Sequence, residues 1–292
     1  MDFEKEYYEF DRFWNNYAYS YEINIEKIDI TFDFIGQRPI ANLLDAACGN
    51  GIFTNMVAEK FREIKVVGFD RSEMALKYVN TEKMLAEIDA IPFGDASFDC
   101  VVAHDVIEHL PVGVYQKALN EIARVSRKYI VIAVPYRENL RHNVSECPSC
   151  LSHFNNDFHF RSFDEEKMKG LFGGTGFECK DIRTCNTNRF YVGQKTYGRL
   201  FYPKWQKKLR SPICPVCGYL NPEDSGHESS NPVLAAGNET DAPGTAIDIA
   251  ASATAPPHLG LLGMIKKIPK AIWPKYSKDY EMVAFFEKKS NV

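Results

Sequence analysis

The sequence predicts an α/β architecture: a doubly wound, mostly parallel sheet with helices on both faces. Three observations carry this expectation. Apolar runs of strand length alternate with segments of helical spacing. The first run, Ala41–Ala46, passes through Cys48-Gly49-Asn50-Gly51 into a helix that begins near Ile52. The second, Ile64–Phe69, ends in an acidic residue, Asp70.

Residues 3–21 hold nine aromatics. They read as a helical segment packed over the mouth of a ligand site, although a plain core-packing helix explains most of them as well. Gly49 and Gly51 allow a tight turn and leave bare N–H groups at the start of the helix Ile52–Phe61. A nicotinamide fingerprint would place a third glycine at position 54, where Thr54 stands, so the dinucleotide reading falls behind. Ser72 can cap a helix over 72–80. A third apolar run precedes Glu87-Ile88-Asp89-Ala90, and Ser97–Ala103 makes a fourth strand. Val112–Arg127 carries a helical stripe at Val114, Ala118, Ile122 and Val125. Tyr129–Pro135 reads as a fifth strand, Asp164–Phe172 as a helix, and Phe177–Cys185 and Tyr280–Lys288 as the last two strands.

With Asp45, Gly49, Gly51, Asp70, Asp89 and the run from Ser97 to Leu110, the chain resembles the class I S-adenosylmethionine-dependent methyltransferases, in the type 11/12-like group. That group carries the pattern LDxGCGxG … GxDxS … DAxxLPFxDxSFDxVxxxxVLEHL. The resemblance covers residues 40–180 and resumes over 280–288. It implies a Rossmann-like sheet of seven strands whose last strand is antiparallel, the last two forming an edge hairpin. It also implies roles in S-adenosylmethionine binding. Asp45, Ala47, Gly49 and Gly51 would shape the pocket around the methionine half. Asp70, with Arg71 beside it, would hold the ribose hydroxyls. Asp89 would bond the adenine amino group with Ala90 against the ring, and His104 would line the methionine end. Ala47 departs from the family, which has glycine there; it adds only a methyl group.

The divisions that follow are a helical N-terminal lid over 1–40, a methyltransferase core over 41–186 and 279–292, and an insertion over 187–278. Arg183 to Arg210 holds eight Lys/Arg and no Asp or Glu. Residues 222–258 have the small and polar composition of a disordered segment. A net charge of −4 gives no general drive toward nucleic acid. The chain has no apolar run of eighteen residues and no leader pattern, so a cytoplasmic protein without a transmembrane segment is expected.

Eight cysteines divide into two groups. Cys48, Cys100, Cys179 and Cys185 stand apart as small core residues of a reducing compartment. Cys147-Pro-Ser-Cys150 and Cys214-Pro-Val-Cys217-Gly218 are two C-x-x-C knuckles, which together suit a four-sulfur structural zinc site. Two unrelated thiol pairs, or a redox dithiol, are the competing explanation.

For the reacting end, candidates cluster in His104-Asp105-Val106-Ile107-Glu108-His109-Leu110. General-base catalysis by His109 or His159 leads. Asp105-x-x-Glu108-His109 also resembles the metal-binding E-x-x-E-H of small-RNA 2′-O-methyltransferases and ubiquinone-pathway O-methyltransferases, with His159 completing the set. That likeness implies a second, divalent ion at Asp105, Glu108, His109 and His159. For each single histidine a structural role competes equally. The amino-methyltransferase signature is absent after the fourth strand, and the expected acceptor is an oxygen on a sugar, a glycan or another small molecule. Other classes stay open. The basic aromatic run Arg189–Arg210 could bind RNA, Leu259–Lys278 could rest on a membrane surface, and the chain could bind S-adenosylmethionine without catalysing transfer.

Overall fold

A computed structural model describes residues 3–15, 17–141, 144–186, 188–191, 213–220 and 275–289. The segments expected to be disordered (222–258), to bind RNA beyond Tyr191, and to lie on a membrane before Lys275 fall outside the described residues. Among the described residues, no helix is long and apolar enough to cross a membrane.

Three helices open the chain: α1 (Phe3–Tyr8), α2 (Asp11–Trp14) and α3 (Tyr17–Gly36). A seven-stranded sheet follows, built from β1 (Asn42–Ala46), β2 (Lys65–Asp70), β3 (Glu82–Leu85), β4 (Phe98–His104), β5 (Ser126–Pro135), β8 (Phe177–Cys185) and β11 (Glu281–Lys288). Their spatial order is β3-β2-β1-β4-β5-β11-β8. The ladders from β3 to β5 are parallel, and β11 runs antiparallel to both of its neighbours. The expected fold is thus observed, and β8 with β11 makes the edge hairpin. Successive residues alternate between two cores. Leu44, Val67, Ile130, Ile132 and Phe286 join one core, while Leu43, Val66, Val131, Ala133 and Phe285 join the other. A sheet apolar on both faces must be covered on both. The remaining helices α4 (Ile52–Lys60), α5 (Glu73–Leu76), α6 (Val112–Val125) and α7 (Glu165–Lys169), together with α3, flank it. On α6, Ala118, Ile122 and Val125 of the expected stripe are buried, as are Leu119 and Ala123.

Several boundaries differ from expectation. The helix expected over 72–80 stops at Leu76, because Asn55 draws the chain away: its amide donates to the Tyr78 carbonyl and its oxygen accepts from the Asn80 N–H. The helix expected to reach Phe172 ends at Lys169, with Asp164 capping the Lys167 N–H. Strand β3 is a largely exposed edge rather than an apolar run. The C-terminal half of α3 is more than a lid: Ile28, Phe32, Phe34 and Ile35 are buried in the second core, and Phe34 stacks on Phe285 with centroids 4.4 Å apart.

Among the described residues, two small two-stranded sheets lie outside the main one. Strand β6 (Val144–Glu146) pairs with β7 (His153–Asn155), and β9 (Asn188–Tyr191) pairs with β10 (Lys275–Lys278), both antiparallel. The second joins the two ends of the expected insertion.

Candidate functional site

The candidate site lies at the C-terminal ends of β1, β2, β4 and β5, where an open α/β sheet places its ligand crevice. After β1 the backbone turns through three left-handed residues, Ala47 (φ 59°), Gly49 (φ 53°) and Gly51 (φ 74°), into α4. Ala47 holds the turn despite its methyl group, at a cost of about 1 kcal/mol. The Gly49 N–H donates to Asp70 Oδ2 at 2.8 Å, and the Ser72 N–H donates to Asp70 Oδ1 at 2.9 Å. One buried carboxylate thereby locks the turn after β1 to the turn after β2. Thr54, the residue that argued against a dinucleotide, donates its hydroxyl to Asp45 Oδ2 at 2.5 Å inside the core. Burial raises the Asp45 carboxyl to about 7 against that hydrogen bond, and burial raises Asp70 as well.

The N-terminal segment covers this turn. A Cβ placed on Gly49 would lie 2.9 Å from the Trp14 ring. Trp14 Nε1 and Ser72 Oγ both donate to the Tyr8 carbonyl, and Asn50 donates to the Trp14 carbonyl. Glu9 accepts from the Glu73 and Met74 N–H groups at the start of α5. Asp89 and Ala90 sit in the turn beyond β3, with Asp89 partly exposed and 4.0 Å from Lys117 Nζ. Arg71 Nε lies 3.3 Å from Glu87.

After β4, His104 packs on Phe53 and lies 3.1 Å from Thr31 Oγ1. Burial, then the charge of Lys27, lowers its pKa to about 3. Asp105, expected beside Glu108 and His109, is taken instead by Lys27, a fully buried amine on α3 that also lies 3.8 Å from Glu281. Burial opposes the Lys27 charge, but Asp105 and Glu281 outweigh it and hold the amine above its ordinary value. Glu108 is 1% exposed, and neither of its carboxyl oxygens has a hydrogen-bond partner among the described residues. Burial and the Asp105 charge push its pKa well up, which favours the neutral acid. His109 and His159 stand with ring centroids 4.5 Å apart, and Glu108, His109 and His159 present ligand atoms within 4.8 Å of one another. The four-member set expected from sequence is therefore reduced to three. Glu138, which no sequence motif flags, lies 2.5 Å from His159 Nδ1.

The four paired cysteines converge. Cys147 Sγ is 3.7 Å from Cys217 Sγ, Cys150 Sγ is 3.8 Å from Cys214 Sγ, and all four lie within 4.8 Å. Tetrahedral zinc with Zn–S bonds of about 2.3 Å implies sulfur separations of about 3.8 Å, so the donor set fits. The two knuckles repeat one backbone design. The first cysteine's N–H donates to the carbonyl five residues on (Ser152, Tyr219), and its carbonyl accepts from the residue four on (Leu151, Gly218). Both of those residues are left-handed. Cys100 and Cys185 are buried core thiols, while Cys48 and Cys179 are half-buried.

Part of the chain is similar to known methyltransferases. Residues 44–132, from β1 through most of β5, match a family model described as a methyltransferase domain. A "Probable S-adenosylmethionine-dependent methyltransferase" of Mycobacterium tuberculosis is 29% identical over 151 residues, covering 49% of this chain and 50% of that protein. Malonyl-[acyl-carrier protein] O-methyltransferase 1 of Coxiella burnetii is 35% identical over 72 residues, 25% of each chain. The chain spans about half the length of the M. tuberculosis relative. A solved structure of a candidate methyltransferase from Bacillus halodurans covers 91% of this chain and 100% of its own, with a TM-score of 0.51 and 13% identity. The architecture is the Rossmann-like methyltransferase fold.

Proposed function

We propose that the protein transfers a methyl group from S-adenosylmethionine to a hydroxyl of a sugar, a glycan or another small molecule. The observation that carries this reading is the glycine turn locked to Asp70, which lies in the stretch matching the methyltransferase family. In this reading Asp45, Ala47, Gly49 and Gly51 shape the methionine pocket, and Asp70 with Arg71 meets the ribose. Asp89 and Ala90 meet the adenine, and His104 borders the methionine end.

An oxygen acceptor is supported by the proton-accepting groups gathered beyond β4 and β5. Transfer from a sulfonium needs little beyond alignment of the reactants and, for a hydroxyl, a base. The basic insertion favours an RNA acceptor less, since the chain as a whole carries −4. Cys147, Cys150, Cys214 and Cys217 would hold one zinc ion with no open position, a structural tie between the loop after β5 and the 213–220 segment.

The test is calorimetric binding of S-adenosylhomocysteine, followed by transfer of labelled methyl into fractionated extract, with Asp70→Ala as control. Binding that survives in Asp70→Ala, or no binding to the wild type, rejects the reading. Metal analysis of the wild type against Cys214→Ser tests the zinc separately; about one zinc per chain, lost in the variant, is expected.

A further inference from the structure

His109 and His159 stand together beyond β4, and their surroundings differ. His109 meets the Tyr8 hydroxyl at 3.3 Å through Nδ1, while its partner His159 is backed by a carboxylate. We propose that Glu138 positions His159, fixing Nδ1–H so that Nε2 is the base that takes the acceptor hydroxyl's proton. This rests on the methyl-transfer reading above and adds to it the identity of the base and a residue that orients it.

The geometry is held from both sides. Beyond β5 the Tyr136 N–H donates to the Tyr280 carbonyl at 2.7 Å, and the Arg137 N–H donates to the Phe163 carbonyl at 2.8 Å. Glu165 accepts from both the Tyr136 hydroxyl (2.5 Å) and the Arg137 guanidinium (2.9 Å). Between these anchors Arg137 is left-handed, with φ 49°, and the turn delivers Glu138. On the other strand of the loop Phe158 is also left-handed, with φ 55°, and its ring packs edge-on against Tyr7. Directly after His159, the Phe160 N–H donates to the Glu108 carbonyl at 2.9 Å, and Arg161 donates to the carbonyls of Ile107 and Leu110. Two non-glycine residues in this conformation are strained, and such strain persists only where the surroundings impose it. Here the strain aims one carboxylate at one ring.

A carboxylate can only accept, so His159 Nδ1 carries the hydrogen, and in the neutral ring Nε2 keeps its lone pair. The charged and titratable groups around the ring are Glu138 after β5, Asp157 in its own loop, Asp105, Glu108 and His109 after β4, and Glu281 on β11. Burial disfavours the charged ring, but the hydrogen bond and charge of Glu138, then Asp157 and Asp105, outweigh it and hold His159 above the ordinary value. Burial and the neighbouring His159 drive His109 the other way, to about 3, which makes it the poorer base.

In the step itself the acceptor oxygen bonds to the methyl carbon as the carbon–sulfur bond breaks. The bonding pair stays on sulfur and gives a neutral thioether. The hydroxyl proton passes to His159 Nε2, and the resulting imidazolium rests against Glu138 until water removes the proton.

The tautomer is directly observable in two-bond 1H–15N spectra of the full chain, with His159→Gln assigning the signals. The expected wild-type pattern for the neutral ring is a single hydrogen, on Nδ1. Glu138→Gln should lose the tautomer preference, while Glu138→Asp retains part of it. S-adenosylhomocysteine binding on the same samples reports that the cofactor half is folded. An Nε2–H ring in the wild type, or a tautomer preference that Glu138→Gln leaves in place, overturns the proposal. So does added Mn2+ or Zn2+ that shifts the His109 and His159 signals together and loses that effect in Glu108→Gln, because His159 is then a ligand. Absence of S-adenosylhomocysteine binding with the His159 pattern intact rejects the methyl-transfer reading instead.

Discussion

Replacing Asp45 by Asn tests the electrostatics beneath the glycine turn. Asp45 is 3% exposed, and burial lifts its carboxyl from 3.8 to about 7. The unfolded chain releases this proton near 3.8, whereas the folded chain keeps it until about 7. An acid raised in this way destabilises the folded state as pH climbs through that window. At about 1.4 kcal/mol per pH unit the window amounts to roughly 4 kcal/mol. Asparagine has nearly the same shape, can still accept from Thr54, and does not titrate. Urea denaturation of both proteins between pH 4 and pH 8 gives the difference directly. The variant should gain on the wild type by about 4 kcal/mol across the range, with the two nearly equal at the acid end. Parallel curves with a constant offset would refute the reasoning. A second consequence follows if the methionine ammonium of the cofactor binds beside Asp45. S-adenosylhomocysteine binding near pH 6 should then release a proton in the wild type and none in the variant, measured by calorimetry in two buffers of different ionisation enthalpy.

Gly51→Ala places a Cβ 2.8 Å from the Val79 side chain and 3.1 Å from its Cα, at φ 74°. A loss of about 2–4 kcal/mol is expected from thermal or urea unfolding, from conformational strain and overpacking together; a loss below 1 kcal/mol would contradict the tight turn. Lys27→Met removes the buried cation between Asp105 and Glu281 and should cost about 3–5 kcal/mol at neutral pH. Because the folded-state pKa of Lys27 is raised, its contribution is complete below 10.5 and fades only above it. The deficit should therefore shrink in acid as the two carboxyls take protons; a deficit that grows in acid would reject the pairing. A ligand lying against Gly49 must displace the Trp14 ring. S-adenosylhomocysteine should thus change the tryptophan emission, and Trp14→Phe should remove that change; an unaltered response in the variant would place the ligand elsewhere.

The sheet was legible because strands buried on both faces are apolar almost without interruption, as in Val101–Ala103 and Ile130–Val134. The glycine turn, Asp70 and the cysteine knuckles were legible because each needs particular residue types at fixed spacing. Short elements were not. The end of α5 is set by Asn55, which bonds residues 23 and 25 positions further along the chain, and no local propensity encodes that. The same holds for the acceptor side. Asp105 looked like a neighbour of Glu108 until α3 supplied Lys27. Glu138 follows an ordinary strand end and acquires meaning only when the chain returns with His159. Thr54, read from sequence as a missing glycine, proved to be the hydroxyl that anchors Asp45.

Strand β11 sets the order in which the protein can be built. It fills the gap between β5 and β8, and Met282–Phe286 are completely buried there. During synthesis, residues 186–280 must therefore leave the ribosome before the sheet can close. Until then β5 and β8 each present an unpaired edge, a template for pairing with other chains. Closing so long a connection adds entropy cost only slowly with length, but it delays the contacts that complete the core. The second cysteine pair lies within this interval, so metal capture by Cys214 and Cys217 would bring that segment back to the loop after β5 before β11 emerges. Chains stopped before residue 281 should accumulate as aggregates, and supplying the missing strand as a peptide should rescue them.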